Sequence, residues 1–249
     1  MPKGRYRDHI VFNGHDLSSL VMCRMGRPIL PPVNVSTQTV GGRHGEHYRR
    51  SRMEGYDIPV DIWLRTEDRR KVAELRHELA ALLWTEEPAP LWLPDDPTRY
   101  HLAVLSGDTD LGAITSELPT TTLNFHVCDP IAFGDERSEV LASGTAKTLS
   151  AGGTWEAWPI VRSTLSGGTW RITNQTTGQY VEVNADSYGA NPAAGASLVC
   201  DMDLERVTIN GNTAGVAISS DFFSLSGDAT LLVTGARGET TIDWRERWL

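Results

Sequence analysis

From Pro159 to Leu249 the chain reads as a series of short strand-like runs, at roughly ten-residue spacing. They cover residues 159–165, 169–175, 179–184, 196–202, 205–210, 214–219, 229–235 and 239–249. Turn sequences separate them: Ser166-Gly167-Gly168, Thr177-Gly178, Asn210-Gly211 and Ser226-Gly227-Asp228. No run after Val140 has the three- and four-residue apolar spacing of a helix. A chain with this rhythm must bury alternate side chains between facing sheets, so a β-sandwich or jelly roll is predicted. The repeated Gly-Gly-Thr-Trp, at 152–155 and 167–170, is too short for a solenoid and reads as two turns leading into strands.

The first half is organised differently. Residues 8–25 alternate like a strand, with Asn13-Gly14 marking a tight hairpin. Residues 26–55 are extended and punctuated by Pro and Gly, with Val33–Val40 alternating as a strand does. Ile58, Val60, Ile62 and Leu64 then fall on one side of a pleat, and Pro59, which lacks a donor, argues for an edge or a break. One helix is predicted over about 67–84, with Thr66 as cap and Glu67 and Asp68 in its first turn. Its apolar stripe is Val72, Leu75, Leu79, Leu82 and Leu83. Further strands follow at 89–93, 99–107 and 120–134. The texture changes at Gly134-Asp135-Glu136-Arg137, which places a domain boundary there: an α+β domain over 1–134, then a sandwich over 135–249. The fold class is mainly β with one helix.

Charge narrows the function. The net charge of −9 speaks against sequence-specific nucleic-acid binding. Its sign is uneven, however: residues 1–55 hold nine Lys/Arg against four Asp/Glu, and the rest hold fourteen against twenty-eight. A basic segment beside an acidic remainder suits self-association, with the arm of one subunit lying on its neighbour. Solvated loop arginines are the plainer alternative. No stretch approaches the ~20 apolar residues of a membrane helix, and the basic N-terminus lacks the apolar core of a secretory signal. Cys23, Cys128 and Cys200 are odd in number and far apart, which predicts buried free thiols rather than a disulfide framework.

Chemistry-bearing patterns are few. Asp95-Asp96, between Trp92 and Tyr100, have the residue types of a glycosidase. Sequence neighbours on a strand point to opposite faces, and Pro-Asp-Asp-Pro is a strong turn. Asp108/Asp110 and Asp201/Asp203 have the alternate spacing of calcium ligands but not the glycine and glutamate that complete such a loop. His44 and His47 lack the helical spacing of a zinc protease motif. No nucleophile elbow or phosphate loop is present. No catalytic residue, metal ligand or cofactor is therefore predicted, and scattered carboxylates such as Glu182 and Asp201 give a glycosidase little support. Trp155, Trp158 and Trp170 have two readings, core packing or a face for stacking sugar; under the second, Trp155 and Trp170 would form the platform of a carbohydrate-binding module.

The order of features carries more than any residue. An apolar-Asp-Asp-Pro-x-x-Tyr turn leads into a strand and glycine (Leu93 to Gly107), and a strand closes on Asp-Pro-x-x-x-Gly (Phe125 to Gly134). Pro159-Ile160 opens the second domain, Asn210-Gly211 makes a hairpin, and Leu225-Ser226-Gly227-Asp228 precedes the penultimate strand. In this order and over the full length, the chain resembles the distal tail protein family of long-tailed bacteriophages, in its short form without inserted carbohydrate-binding modules. It departs where the family's turn before the penultimate strand often reads Pro-Gly-Asn. The resemblance implies a virion structural protein of the tail tip, made in the bacterial host cytoplasm. It implies an N-terminal ring-forming domain and a C-terminal galectin-like sandwich, assembled as a hexameric ring, or two stacked rings, around a channel for DNA. The implied partners are other copies of the chain, the tail tube protein, the tail-associated lysin or fibre hub, and receptor-binding proteins, with no membrane. An extended arm over about 24–55 would brace adjacent subunits, and Arg43, Arg49, Arg50 and Arg52 are its candidate contact residues.

Overall fold

The computed structural model describes residues 9–66, 68–111, 119–190 and 192–249. The chain forms two compact units, Met1–Ala132 and Phe133–Leu249, each with its own buried apolar core.

In the first unit, β1 (Val11–Phe12) and β2 (His15–Asp16) are joined by Asn13-Gly14, whose φ values are 49° and 78°. A two-residue hairpin needs both positive, which is why Asn-Gly marks it. β3 (Val21–Met25), β4 (Val33–Thr39), β5 (Glu46–Met53) and β6 (Tyr56–Leu64) precede helix α1 (Arg69–Leu83). β7 (Ala89–Leu93), β8 (Asp96–Ser106) and β9 (Thr120–Val127) follow it. The main antiparallel sheet runs β2-β1-β7-β8-β9-β6-β3, and among the described residues β4 and β5 pair with each other alone. Neighbouring strands lie ~4.8 Å apart, so β1 and β9 would be distant in a flat sheet. Yet the rings of Phe12 and Phe125 are 5.1 Å apart. The sheet curls around one core, and α1 closes it with Val72, Leu79 and Leu83.

Two local expectations change. Strand β6 is neither an edge nor broken: β3 and β9 flank it, and Pro59 pairs with Asn124. Proline is tolerated because β3 stops at Met25, opposite Val60, one residue short of it. The helix starts later than its charges suggest. The Asp68 carbonyl accepts the Val72 N–H at 3.3 Å, so Asp68 is the cap residue; Thr66 Oγ1 instead accepts the Asp68 N–H at 3.2 Å, a turn ahead of the helix. Asp68 therefore lies outside the first turn, and Glu67 lies outside the described residues.

The second unit is a sandwich. Its strands are β10 (Ala132–Ala142), β11 (Lys147–Ser150), β12 (Ile160–Thr164), β13 (Trp170–Asn174) and β14 (Tyr180–Val183). They continue as β15 (Ser197–Asp201), β16 (Arg206–Ile209), β17 (Asn212–Ala214), β18 (Asp228–Thr234) and β19 (Glu239–Trp248). One face is ordered β17-β16-β15-β12-β19-β10 and the other β11-β18-β13-β14. Alternate residues of both meet in one core, including Val161, Leu198 and Ile242 from the first and Ile172, Val181 and Leu231 from the second.

Here the structure adds β10 and β11 and removes a strand. The charged run at 134–137 lies within β10, where its charges pair with β19: Arg137 Nη2 lies 2.6 Å from Glu246 Oε1, Ser138 Oγ donates to Asp243 at 2.6 Å, and Glu136 meets Arg245. Residues 215–218 are not a strand, since the Gly215 N–H donates to the Tyr188 carbonyl at 2.6 Å rather than to a ladder. Gly152 and Gly153 make the closest approach to β19, where a Cβ on Gly153 would lie 2.0 Å from the Arg247 carbonyl oxygen. Of the three cysteines, none in a disulfide among the described residues, Cys23 and Cys200 are buried as expected, but Cys128 is exposed.

Candidate assembly interface

Between β3 and β6 the chain leaves the sheet as a ribbon. β4 and β5 pair from Val33 opposite Met53 to Thr39 opposite Glu46, with a register shift between Ser36 and Thr37. Only Ser36 and Met53 are even partly covered; every other residue of the two strands is exposed. An isolated two-stranded hairpin is marginal in water, and its unpaired edges invite pairing with another chain.

The pleat gives the ribbon two unlike faces. Asn34 opposite Arg52 and Ser36 opposite Arg50 make one, where Glu54 accepts from Asn34 Nδ2 at 2.9 Å and a polar trough forms. Val33, Val35 and, beyond the shift, Tyr48 share the other, where the Tyr48 hydroxyl donates to Ser51 Oγ at 2.9 Å. The arginines singled out from sequence are thus only partly gathered. Arg50 and Arg52 are neighbours on one face. Arg49 is the extra residue of the bulge and donates to Gln38 Oε1 at 3.1 and 2.5 Å, while Arg43 sits apart in the tip turn.

The ribbon's root is held by a cluster that sequence reasoning passed over. Arg27 Nε donates to Asp95 Oδ2 at 2.8 Å, and its Nη1 donates to His101 Nε2 at 2.9 Å. Asp96 stands 3.9 Å from Arg27 Nη2 and also binds Arg99 Nη1, at 3.2 Å. Pro94-Asp95 is the turn between β7 and β8, as expected, and the same turn clamps the arm. The contact spans sixty-eight positions of sequence, and no local pattern announces it.

His101 is buried and accepts from an arginine, so it is neutral; burial first and Arg27 second bring its pKa down from 6.5 to about 4, against the pull of Asp96, Asp95 and Asp129. An unfolded histidine binds its proton below ~6.5. Folding excludes that proton, so stability is complete above this value and falls as the pH drops towards 4. The N-terminal unit is expected to lose about 2 kcal/mol between pH 7 and pH 5 on this account. His101→Gln keeps an acceptor for Arg27 and should flatten the dependence. Urea titrations at the two pH values measure it, and an undiminished loss in the variant would refute the assignment.

The sugar platform does not form. Trp170 is fully buried, and its Nε1 donates to Ser163 Oγ at 3.1 Å, leaving no ring face for a ligand. Trp155 is half-buried and bridges to Arg247 across strands. Asp201 Oδ1 accepts from the N–H groups of Asp203 and Leu204, both at 3.1 Å, as a turn residue does. Among the described residues no three His, Cys, Asp or Glu side chains converge as metal ligands would, and no helix is long and apolar enough to cross a membrane.

Comparison with known proteins places this architecture. Residues 12–127 match the family described as phage tail protein RIFT-related domain, and residues 152–248 match siphovirus-type tail component, C-terminal domain. The chain belongs to the siphovirus distal tail protein family. Members are structural parts of the tail and baseplate and are not known as enzymes. The fold is also that of SPP1 Dit (gp 19.1), described as a paradigm of the hub adsorption apparatus in phages infecting Gram-positive hosts: TM-score 0.80 at 18% identity, over 97% of this chain and 99% of that one. A chain of the phage P2 baseplate in its activated conformation aligns at TM-score 0.44 and 7% identity over 89% and 90% of the two chains, too distantly to bear on the argument. No curated protein matches in sequence.

Proposed function

We propose that this tail protein is a non-enzymatic adaptor at the tail tip: a hexameric ring, single or stacked in pairs, that joins the tail tube to the lysin or fibre hub and lets DNA through its channel. Receptor-binding proteins attach at its periphery, and the chain is made in the host cytoplasm before it joins the virion. The observation that carries the reading is the bare ribbon β4–β5. A ribbon exposed on both faces gains its stability when a neighbouring copy covers it. The basic arm against an otherwise acidic chain supports the same arrangement, because a closed ring joins unlike patches and opposite charge keeps them in order.

Size-exclusion chromatography with light scattering tests the ring, with negative-stain images for six-fold symmetry. The triple variant Arg49→Glu, Arg50→Glu, Arg52→Glu is expected to weaken assembly and lessen its salt dependence while leaving circular dichroism and melting unchanged. A wild-type chain that stays monomeric at high concentration would overturn the ring. Unchanged assembly of the triple variant would remove the arginines from the interface.

A further inference from the structure

His101 sits where both legs of the ribbon meet the sheet. The entering leg, residues 26–32, presents Arg27, whose Nη1 donates to His101 Nε2 at 2.9 Å. The leaving leg ends at Tyr56, the first residue of β6, whose ring meets the imidazole edge-on with centroids 6.4 Å apart. Gly55, just before it, passes so close to β9 that a Cβ there would lie 2.8 Å from the Val127 carbonyl oxygen. The leaving leg is thus fixed by close packing. Along the entering leg only Arg27 and Pro31 are covered, and the rest is exposed. The Glu54 N–H donates to the Pro32 carbonyl at 2.9 Å, which ties the two legs to each other rather than to the sheet.

One proton reverses the contact at Arg27. An arginine side chain has no acceptor, so His101 Nε2 must accept, and the ring hydrogen sits on Nδ1. That Nδ1 is buried with no hydrogen-bond partner among the described residues. A second proton can only go to Nε2, where it faces the Arg27 N–H groups, donor against donor and cation against cation. Asp95 and Asp96 from the β7–β8 turn, and Asp129 beyond β9, then draw the imidazolium and set it in competition with Arg27. Arg99, on β8 itself, is taken up by Asp96 at 3.2 Å. Tyr56 stays neutral throughout, since burial raises its pKa further. The Arg27–Asp95 pair that remains is a weak hold, because Asp95 is 46% exposed.

We propose that His101 is a proton-operated latch: protonation at Nε2 expels Arg27, and the β4–β5 ribbon swings free on its two legs while the sheet stays folded. The ribbon can move without unfolding the domain because it buries almost nothing of its own. Release needs no second copy of the chain, so the latch stands or falls apart from the ring. His101 titrates at about 4 when latched and at its ordinary ~6.5 when freed, so protons favour the freed state. The ratio of freed to latched arm rises about twenty-fold from pH 7 to pH 5.

Paired spin labels test the latch. In a Cys128→Ser background, Val35→Cys on the ribbon and Glu78→Cys on α1, both exposed, carry the labels, and excess unlabelled chain keeps the measured distances within one molecule. A narrow distance is expected at pH 7. At pH 5 a broad component should gain about twenty-fold on it, reversibly and with circular dichroism unchanged. His101→Gln, which offers Arg27 an acceptor that takes up no proton, should stay narrow at both values. Arg27→Gln, which lacks the tie, should be broad at both. A gain below about three-fold in the wild type would overturn the latch. So would His101→Gln broadening as the wild type does, since the carboxylates would then be the groups that titrate. Broadening accompanied by loss of the circular dichroism signal would show the domain unfolding instead.

Discussion

Replacing Trp170 with alanine is expected to cost the C-terminal unit about 3–5 kcal/mol, the largest single effect in that half of the chain. The indole is wholly buried among the apolar residues between the two sheets, and its N–H donates to Ser163 Oγ. That oxygen also lies 2.8 Å from Thr240 Oγ1, so the tryptophan ties β13 to β12 and β19 through a buried polar chain. Alanine leaves a cavity in the core and removes the donor as well. Chemical denaturation measures the loss, and a change below ~1 kcal/mol would show that the site collapses without penalty. The same result bears on carbohydrate binding. A sugar platform would tolerate Trp170→Ala as a folded, non-binding variant, whereas a core residue gives an unstable one. The half-buried Trp155 makes the contrast, and Trp155→Ala should cost much less.

Phe125→Ala should be as severe in the other unit, again about 3–5 kcal/mol. Phe125 is fully buried on β9, and its ring meets that of Phe12 on β1 at 5.1 Å and 54°. The pair spans the inside of the curled sheet, so its loss empties the middle of the core and adds the ~0.5–1.5 kcal/mol of a tilted aromatic contact. Calorimetry of the two variants also tests the division of the chain. If the units unfold independently, Phe125→Ala lowers one transition by more than about 10 °C and leaves the one that Trp170→Ala lowers in place. A single transition moved equally by both would show that the units fold as one.

Much of this was legible without the structure because it is local. Asn13-Gly14 and Asn210-Gly211 make their hairpins since asparagine and glycine accept positive φ cheaply, and both pairs do so. Ile58, Val60, Ile62 and Leu64 show period two, and all four are buried. The helix stripe likewise faces the core. Errors arose where a partner overrides a local preference. The strand β10 itself went unread at 135–142, because the counter-charges of its charged side chains lie on β19, more than a hundred positions away. Residues 214–219 alternate well enough for a strand, but a loop carbonyl takes the Gly215 hydrogen bond.

The candidate interface divides along the same line. Sequence by itself determined that the chain would be β-rich with one helix, that it would carry a basic extended arm, and that its order of turns is that of a distal tail protein. The first two follow from periodicity, turn chemistry and composition, which act between near neighbours; the third is a resemblance to a known family, carried by the order of its motifs. Only the tertiary structure decided that the arm is a bare ribbon with an apolar and a cationic face, since the bulge at Arg49 sets which residues share a side. It alone decided that Asp95 and Asp96, a turn when read alone, hold Arg27 at the arm's root beside a neutral His101. It also showed that Trp170 is core rather than platform. Long-range pairing and burial depend on where distant segments meet, and no spacing within a short window carries that information.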